Sequence, residues 1–285
     1  MRDESGLREF IRGGSRLPAL PRVTIRLLDK VDSPSATSNA IAAIVEADPS
    51  LSARLLKLAN SSFYGQRGRI STVRNAVLVL GAKTIRSLAL AVWANTLQSH
   101  ANDAEDRVRI ALLLAHGLAA GVAAGMLAER RDPGLGEDAF MAGLLHDIGR
   151  VALVAQMRRE YQRTILDPAE HEGLLLHEKE TAILGFDHRH LGAALMRSWG
   201  LPAFLAEVAE KHHDDGIVPK NQFFVAAVAL ADAMSTRLGF NLALGAPRPA
   251  QGEIAVFFGL GDEEAVAEFL ALCADRVRTF SNALG

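Results

Sequence analysis

Apolar residues recur along this chain at intervals of three and four, the period of a helix with one buried face, and β-branched alternation is nowhere sustained. Almost every segment therefore reads as α-helix. An N-terminal helix falls within residues 1–16, and Pro18 and Pro21 punctuate the chain just after it. Residues 22–31 carry apolar side chains at helical spacing. Asp32-Ser-Pro-Ser35 is a turn, and a helix spans 39–47. Asp48 before Pro49 marks a helix start: the carboxylate accepts an unpaired amide, and a proline loses nothing in the first turn. That helix runs through Asn60 and ends near Gly65. Another begins at Ser71-Thr72, Gly81 breaks it, and 83–97 is a further apolar helix.

The polar stretch from His100 to Asp106 separates two lobes, 17–103 and 104–240. The second lobe opens with an apolar helix in which Gly117, Gly121 and Gly125 recur every fourth residue, a spacing that lets helices pack closely in membranes. Its Ala/Gly content and His116 make it a buried helix rather than a membrane span. Asp132-Pro-Gly, Asp167-Pro168 and Gly185-Phe-Asp187 are turns. Leu201-Pro202 opens a helix that ends at His212-His213, and 223–238 forms another. Residues 241–285 hold a linker, Gly245-Ala-Pro-Arg-Pro249, and a terminal helix over 262–280. The expected fold class is all-α, a two-lobed helical bundle.

Of 285 residues, 49% are hydrophobic and 22% charged, ample for a large core. The formal net charge of -2 gives no general basic surface, so nucleic acid is not an expected partner. A single cysteine, Cys273, excludes an intrachain disulfide and fits a reducing cytosol. The first residues, Met-Arg-Asp-Glu-Ser-Gly, lack the apolar core of a secretory signal. Neither membrane nor nucleic acid is expected, and the location expected is cytoplasmic.

The candidate chemistry lies in the doublet His146-Asp147, at the end of the apolar run from Ala139. Burying a polar group without a partner costs about 1–3 kcal/mol, so packing does not account for the pair. Imidazole nitrogen and carboxylate oxygen are ligands for zinc, iron or manganese. His116, His190, His212, His213 and Asp232 offer the same chemistry on separate helices, as a metal site in a helical bundle requires. Each has a plainer reading. Asp232 can pair two helices, His116 can be a hydrogen-bonded core residue, and His212-His213 can cap a helix end. His190 follows Asp187, a candidate N-cap, and His188 can simply be exposed. Together, though, five of the nine histidines fall in this set with two aspartates. Seven N/O ligands suit two divalent cations, with Asp147 as the bridge.

The order of a first His, then His-Asp, then a late Asp resembles the HD superfamily of metal-dependent phosphohydrolases, matched here by His116, His146, Asp147 and Asp232. His190 and His212-His213 resemble the additional ligands of the HD-GYP subgroup, which binds two or three metals and hydrolyses cyclic di-GMP. That subgroup's lysine after His-Asp-x-Gly is here Arg150, a residue suited to phosphate. The Gly-Tyr-Pro element is replaced by Asp214-Asp-Gly-Ile-Val-Pro219. Leu17-Pro-Ala-Leu-Pro21, the run from Asp48 to Gly65, Val77 to Arg86, Gly143 to Arg150 and Gly185 to Gly192 look like the HDOD domain, the HD-related output domain. The resemblance covers 17 to about 235. It implies an all-helical bacterial signal-transduction module acting through a protein partner of a signalling pathway.

Three functions are expected on these grounds. The first is a regulatory module with a structural or sensory metal site. The second is a phosphohydrolase acting on a nucleotide or cyclic dinucleotide, with Asp147 and Arg150 as catalytic residues and metal-activated water as nucleophile. The third is a metal-free scaffold whose polar residues pair among themselves.

Overall fold

The computed structural model describes residues 5–12, 19–31, 33–61, 69–100, 103–167, 169, 175–240 and 252–284. All regular elements among them are helical, as expected. They form two compact units, one of Met1–Pro18 with Leu97–Leu270, the other of Ala19–Thr96 with Ala271–Gly285. The division after Thr96 falls beside the polar stretch that marked a lobe boundary in the sequence.

Helix α1 (Ser5–Arg12) belongs to the larger unit. The smaller unit begins with α2 (Arg22–Val31), α3 (Ser38–Glu46) and α4 (Pro49–Ala59). Thr37 caps α3, and Asp48 caps α4 by accepting the Leu51 amide at 3.0 Å, with Pro49 in the first turn as read from sequence. The run expected to continue to Gly65 stops at Ala59. Asn60 is the reason: its side chain donates to the Ile70 carbonyl at 2.7 Å and accepts the Ile70 amide at 3.0 Å, turning the chain back on itself. Gly65 itself lies outside the described residues. Next come α5 (Val73–Leu80), capped by Thr72, and α6 (Ala82–Thr96), parted at Gly81. α2 packs on α6 and α3 on α5. Leu27, Leu55, Leu58, Ile85, Leu88 and Leu90 are fully buried, each contributing about 1.5–3 kcal/mol of transfer free energy.

The larger unit is built on α7 (Ala104–Glu129), which starts at the N-cap Asp103. α7 is long and apolar enough to cross a membrane, but 83% of its most apolar stretch is buried inside the fold. It packs along α8 (Gly136–Leu145), and glycines allow the approach. A Cβ on Gly117 would stand 2.7 Å from the Leu144 carbonyl oxygen, and one on Gly143 would stand 2.6 Å from that of Ala120. Then come α9 (Ile148–Met157), α10 (Leu176–Leu184), α11 (His188–Ser198), α12 (Ala203–Lys211) and α13 (Phe223–Arg237). A π-helical turn, Gln162–Leu166, follows α9. The linker 245–249 lies outside the described residues. Beyond it, α14 (Gly252–Phe257) and the start of α15 (Glu263–Leu284) belong to this unit. Arg130 fastens that segment by donating to the Phe258 and Gly259 carbonyls, both at 3.0 Å, and Phe258 packs edge-on to Phe223 of α13.

Candidate metal centre

Five elements of the larger unit converge on one buried cluster. The glycine-lined contact of α7 with α8 brings His116 within 5.4 Å of His146, ring centre to ring centre. His146 and Asp147 occupy the two-residue break between α8 and α9, so both side chains of the doublet turn the same way. α11 brings His188, the C-terminus of α12 brings His212 and His213, and α13 brings Asp232.

The orientation of four rings is set by the partners of their Nδ1 atoms. His146 Nδ1 lies 2.7 Å from the Gly143 carbonyl, and His212 Nδ1 lies 2.9 Å from that of Ala209. His188 Nδ1 lies 2.6 Å from the Glu180 carboxylate. His116 Nδ1 lies 3.0 Å from both the Phe240 carbonyl and the Ser235 hydroxyl, whose own proton goes to the Asp232 carbonyl at 2.7 Å. Each of these partners accepts, so each ring carries its proton on Nδ1 and turns the Nε2 lone pair inward. The Nε2 atoms of His146, His188 and His212, with Asp147 Oδ1, are buried and have no hydrogen-bond partner. Converging orphaned acceptors fit a cation.

They sort into two groups that share Asp147. His116, His146 and Asp147 form one, and Asp147, His188, His212 and His213 the other, with donor atoms within 4.8 Å of each other in each. Ligands on opposite sides of a zinc-sized ion, at 2.0–2.2 Å each, are at most roughly 4.4 Å apart, so modest adjustment suffices. Asp147 faces both ways. Its Oδ2 lies 3.7 Å from His146 Nε2, and its Oδ1 lies 3.5 Å from His188 Nε2 and 3.7 Å from His212 Nε2. Asp232 joins the first group, its Oδ1 lying 3.0 Å from His116 Nε2 and 4.0 Å from His146 Nε2. Two lone pairs facing at 3.0 Å need positive charge between them, a proton or a metal ion.

The electrostatics agree. Burial lowers the His146 pKa to about 4, so its lone pair is available at neutral pH. Burial alone would raise Asp147, but Arg150 and then His146 hold it well below the usual carboxylate range. Burial would raise Asp232 too, but its contact with His116 and the charges of His116 and His146 together bring it down to about 2. Burial opposes charge on His116 and His188, yet Asp232 and Glu180 respectively carry their pKa values above the ordinary one.

Of the sequence candidates, His116, His146, Asp147, His212, His213 and Asp232 come together, whereas His190 is in neither group. Asp187 caps α11 by accepting the Arg189 and His190 amides, and His190 Nδ1 turns back to Asp187 Oδ1 at 2.7 Å. His188, read from sequence as a residue that can be exposed, is 1% exposed and takes the inward position. As the first residue of α11 it is pressed against the start of α9, where a Cβ on Gly149 would stand 2.0 Å from its carbonyl oxygen. The plainer readings of His116 and His212 also hold, because core bond and cap use Nδ1 and leave Nε2 free for the cluster. Arg150 is buried and donates from Nη1 to Asp147 Oδ2 at 2.8 Å, a place suited to holding that carboxylate. Sequence reasoning missed Glu180, although an acid four residues after Leu176 and four before Leu184 stands on an apolar helical line.

Comparison with known proteins agrees with this architecture. The HDOD domain family matches residues 17–215. A curated relative, an uncharacterized protein of Treponema pallidum (strain Nichols), is 26% identical over 199 residues; the match covers 70% of this chain and only 38% of that longer protein. The crystal structure of an HDOD domain protein with unknown function from Geobacter sulfurreducens is 27% identical with a TM-score of 0.78, covering 98% of this chain and 96% of that one. A protein from Marinobacter aquaeolei VT8, provisionally assigned to signal transduction, is 26% identical with a TM-score of 0.74, covering 99% of this chain and 64% of that one. The chain is a member of the HDOD domain family.

Proposed function

We propose that this chain is a signal-transduction module of a cytosolic pathway whose larger unit binds two divalent cations, iron, manganese or zinc, and which acts mainly through contact with a protein partner. His116, His146, Asp147 and Asp232 hold one cation, and Asp147, His188, His212 and His213 the other. The observation that carries the reading is the common orientation of four imidazoles, each anchored at Nδ1 and turned by Nε2 toward Asp147 or Asp232. The absence of thiolates from the set favours these metals over copper(I). Elemental analysis of protein purified without a histidine tag tests it. Two equivalents per chain are expected, and less than about one tenth of an equivalent would sink it, because such sites bind tightly.

A second reading has its own support. Asp232 and His213 keep 24% and 19% of their side-chain surface exposed, so one side of the cluster is open to a small molecule. On this reading the chain is a phosphohydrolase for a nucleotide or cyclic dinucleotide. Bound cations would polarise water and neutralise phosphate oxygens. Asp147 would fix the spacing of the groups, Arg150 would hold Asp147 ionised, and Asp232 would stand at the open side, where a proton must be taken up. Protein loaded anaerobically with iron or manganese and offered a panel of nucleotides and cyclic dinucleotides separates the readings: release of phosphate or conversion to a linear dinucleotide, read by chromatography, supports the hydrolase, and no conversion across the panel leaves the regulatory module.

A further inference from the structure

Three of the inward-facing histidines hang from main-chain carbonyls, whereas His188 hangs from a side chain. Glu180 is completely buried. Its Oε2 accepts both the backbone amide of His188, at 2.9 Å, and the ring Nδ1–H, at 2.6 Å. Its Oε1 accepts the hydroxyl of Tyr161, itself 1% exposed. Burial first, and the Glu180 charge next, raise the Tyr161 pKa well above its ordinary value, so the phenol stays a donor. This buried chain of contacts ends at His188 Nε2, 3.5 Å from Asp147 Oδ1.

We propose that Glu180, held by Tyr161, is the positioning residue of the second cation site, setting the tautomer and the angle of His188 so that its Nε2 faces Asp147 Oδ1. This rests on the two-cation reading above and adds that the two sites are built differently. The histidines of the first take main-chain carbonyls, with the Ser235 hydroxyl beside His116, so it persists whatever stands at position 180. The second depends on a carboxylate that lies behind the imidazole, and such outer partners are typically worth about 10–100-fold in metal affinity. Tyr161 fixes the carboxylate in turn, since without the phenol its Oε1 would be a buried acceptor with one partner fewer.

The test is manganese binding by the full chain, as ions per chain and the affinity of each, for the native protein and three variants. Glu180→Ala should keep the first ion and lose the second; the retained ion reports that the variant is folded. Glu180→Gln keeps an oxygen that can accept from Nδ1–H and should restore the second ion, about ten-fold weaker than in the native chain. Tyr161→Phe should bind two ions with only the second weakened. In zinc-loaded native protein the His188 Nδ1 proton should give a far-downfield, slowly exchanging resonance, and Glu180→Ala should lack it. If Glu180→Ala binds two ions at native affinity, this inference falls while the two-cation reading stands. Should Glu180→Ala fail to fold, unchanged second-site affinity in both Glu180→Gln and Tyr161→Phe overturns it equally. A native chain that binds no manganese, iron or zinc removes the two-cation reading and this inference with it.

Discussion

Gly149 and His188 meet with no room for a methyl group between them: a Cβ on the glycine would stand 2.0 Å from the histidine's carbonyl oxygen and 2.8 Å from the Gly192 amide nitrogen. Backbone, not a flexible side chain, is in the way, so α9 and α11 must part if the position is filled. Gly149→Ala should destabilise the fold by at least ~1–3 kcal/mol, the usual cost of overpacking. It should also draw His188 away from Asp147. Urea denaturation in the presence of chelator measures the first effect, and second-site metal affinity the second. A variant as stable as the native protein would contradict the contact.

Asp147 is the shared member of both groups, so its loss should be felt twice. Chelation should lower the melting temperature of the native protein, because a ligand bound only by the folded state stabilises it by mass action. Asp147→Asn should bind neither ion tightly, and its melting temperature should not respond to chelator. Persisting chelator sensitivity would exclude Asp147 as the bridge.

His188 and His190 are two residues apart and face different partners, one Asp147 and the other Asp187. His188→Ala should reduce two bound ions to one. His190→Ala should leave the count at two and weaken the start of α11, the cap losing one of its contacts. Elemental analysis of both variants decides between them, and the reverse result would restore His190 to the ligand set.

In metal-free protein, His146 should take up a proton only near pH 4 against the ordinary 6.5. The unfolded chain binds that proton first as the pH falls. The stability this group contributes is therefore complete above about 6.5 and drains away between there and 4. His116 and His188 act in the opposite sense: their raised pKa values stabilise the fold at lower pH, and that gain disappears as pH rises through their folded values. Histidine NMR titration resolves the three. A His146 midpoint near 6.5 would mean that the ring is not desolvated in solution.

Local rules made much of the fold legible. Asp48-Pro49 announces a helix start because capping chemistry acts within four residues, and the break at Gly81 is local too. The glycine spacing of α7, read from sequence as a feature of membrane helices, serves here the close contact with α8. Most of the cluster was readable because imidazoles in apolar helices need partners. His188 was not, since its inward position depends on the helical phase set by Asp187 and on the approach of Gly149, nearly forty residues earlier in the chain. Glu180 and Tyr161 escaped for the same reason: only the fold brings them to His188.

The backbone anchoring of His116, His146 and His212 has a consequence for how such a domain can change over time. Carbonyl oxygens are not encoded by any side chain, so the cradle for these rings is inherited with the helices themselves. A descendant can discard an imidazole and keep the scaffold, or regain one and find its seat already shaped. On the two-cation reading, ion capture would be a trait that this architecture can set aside and recover without rebuilding its interior.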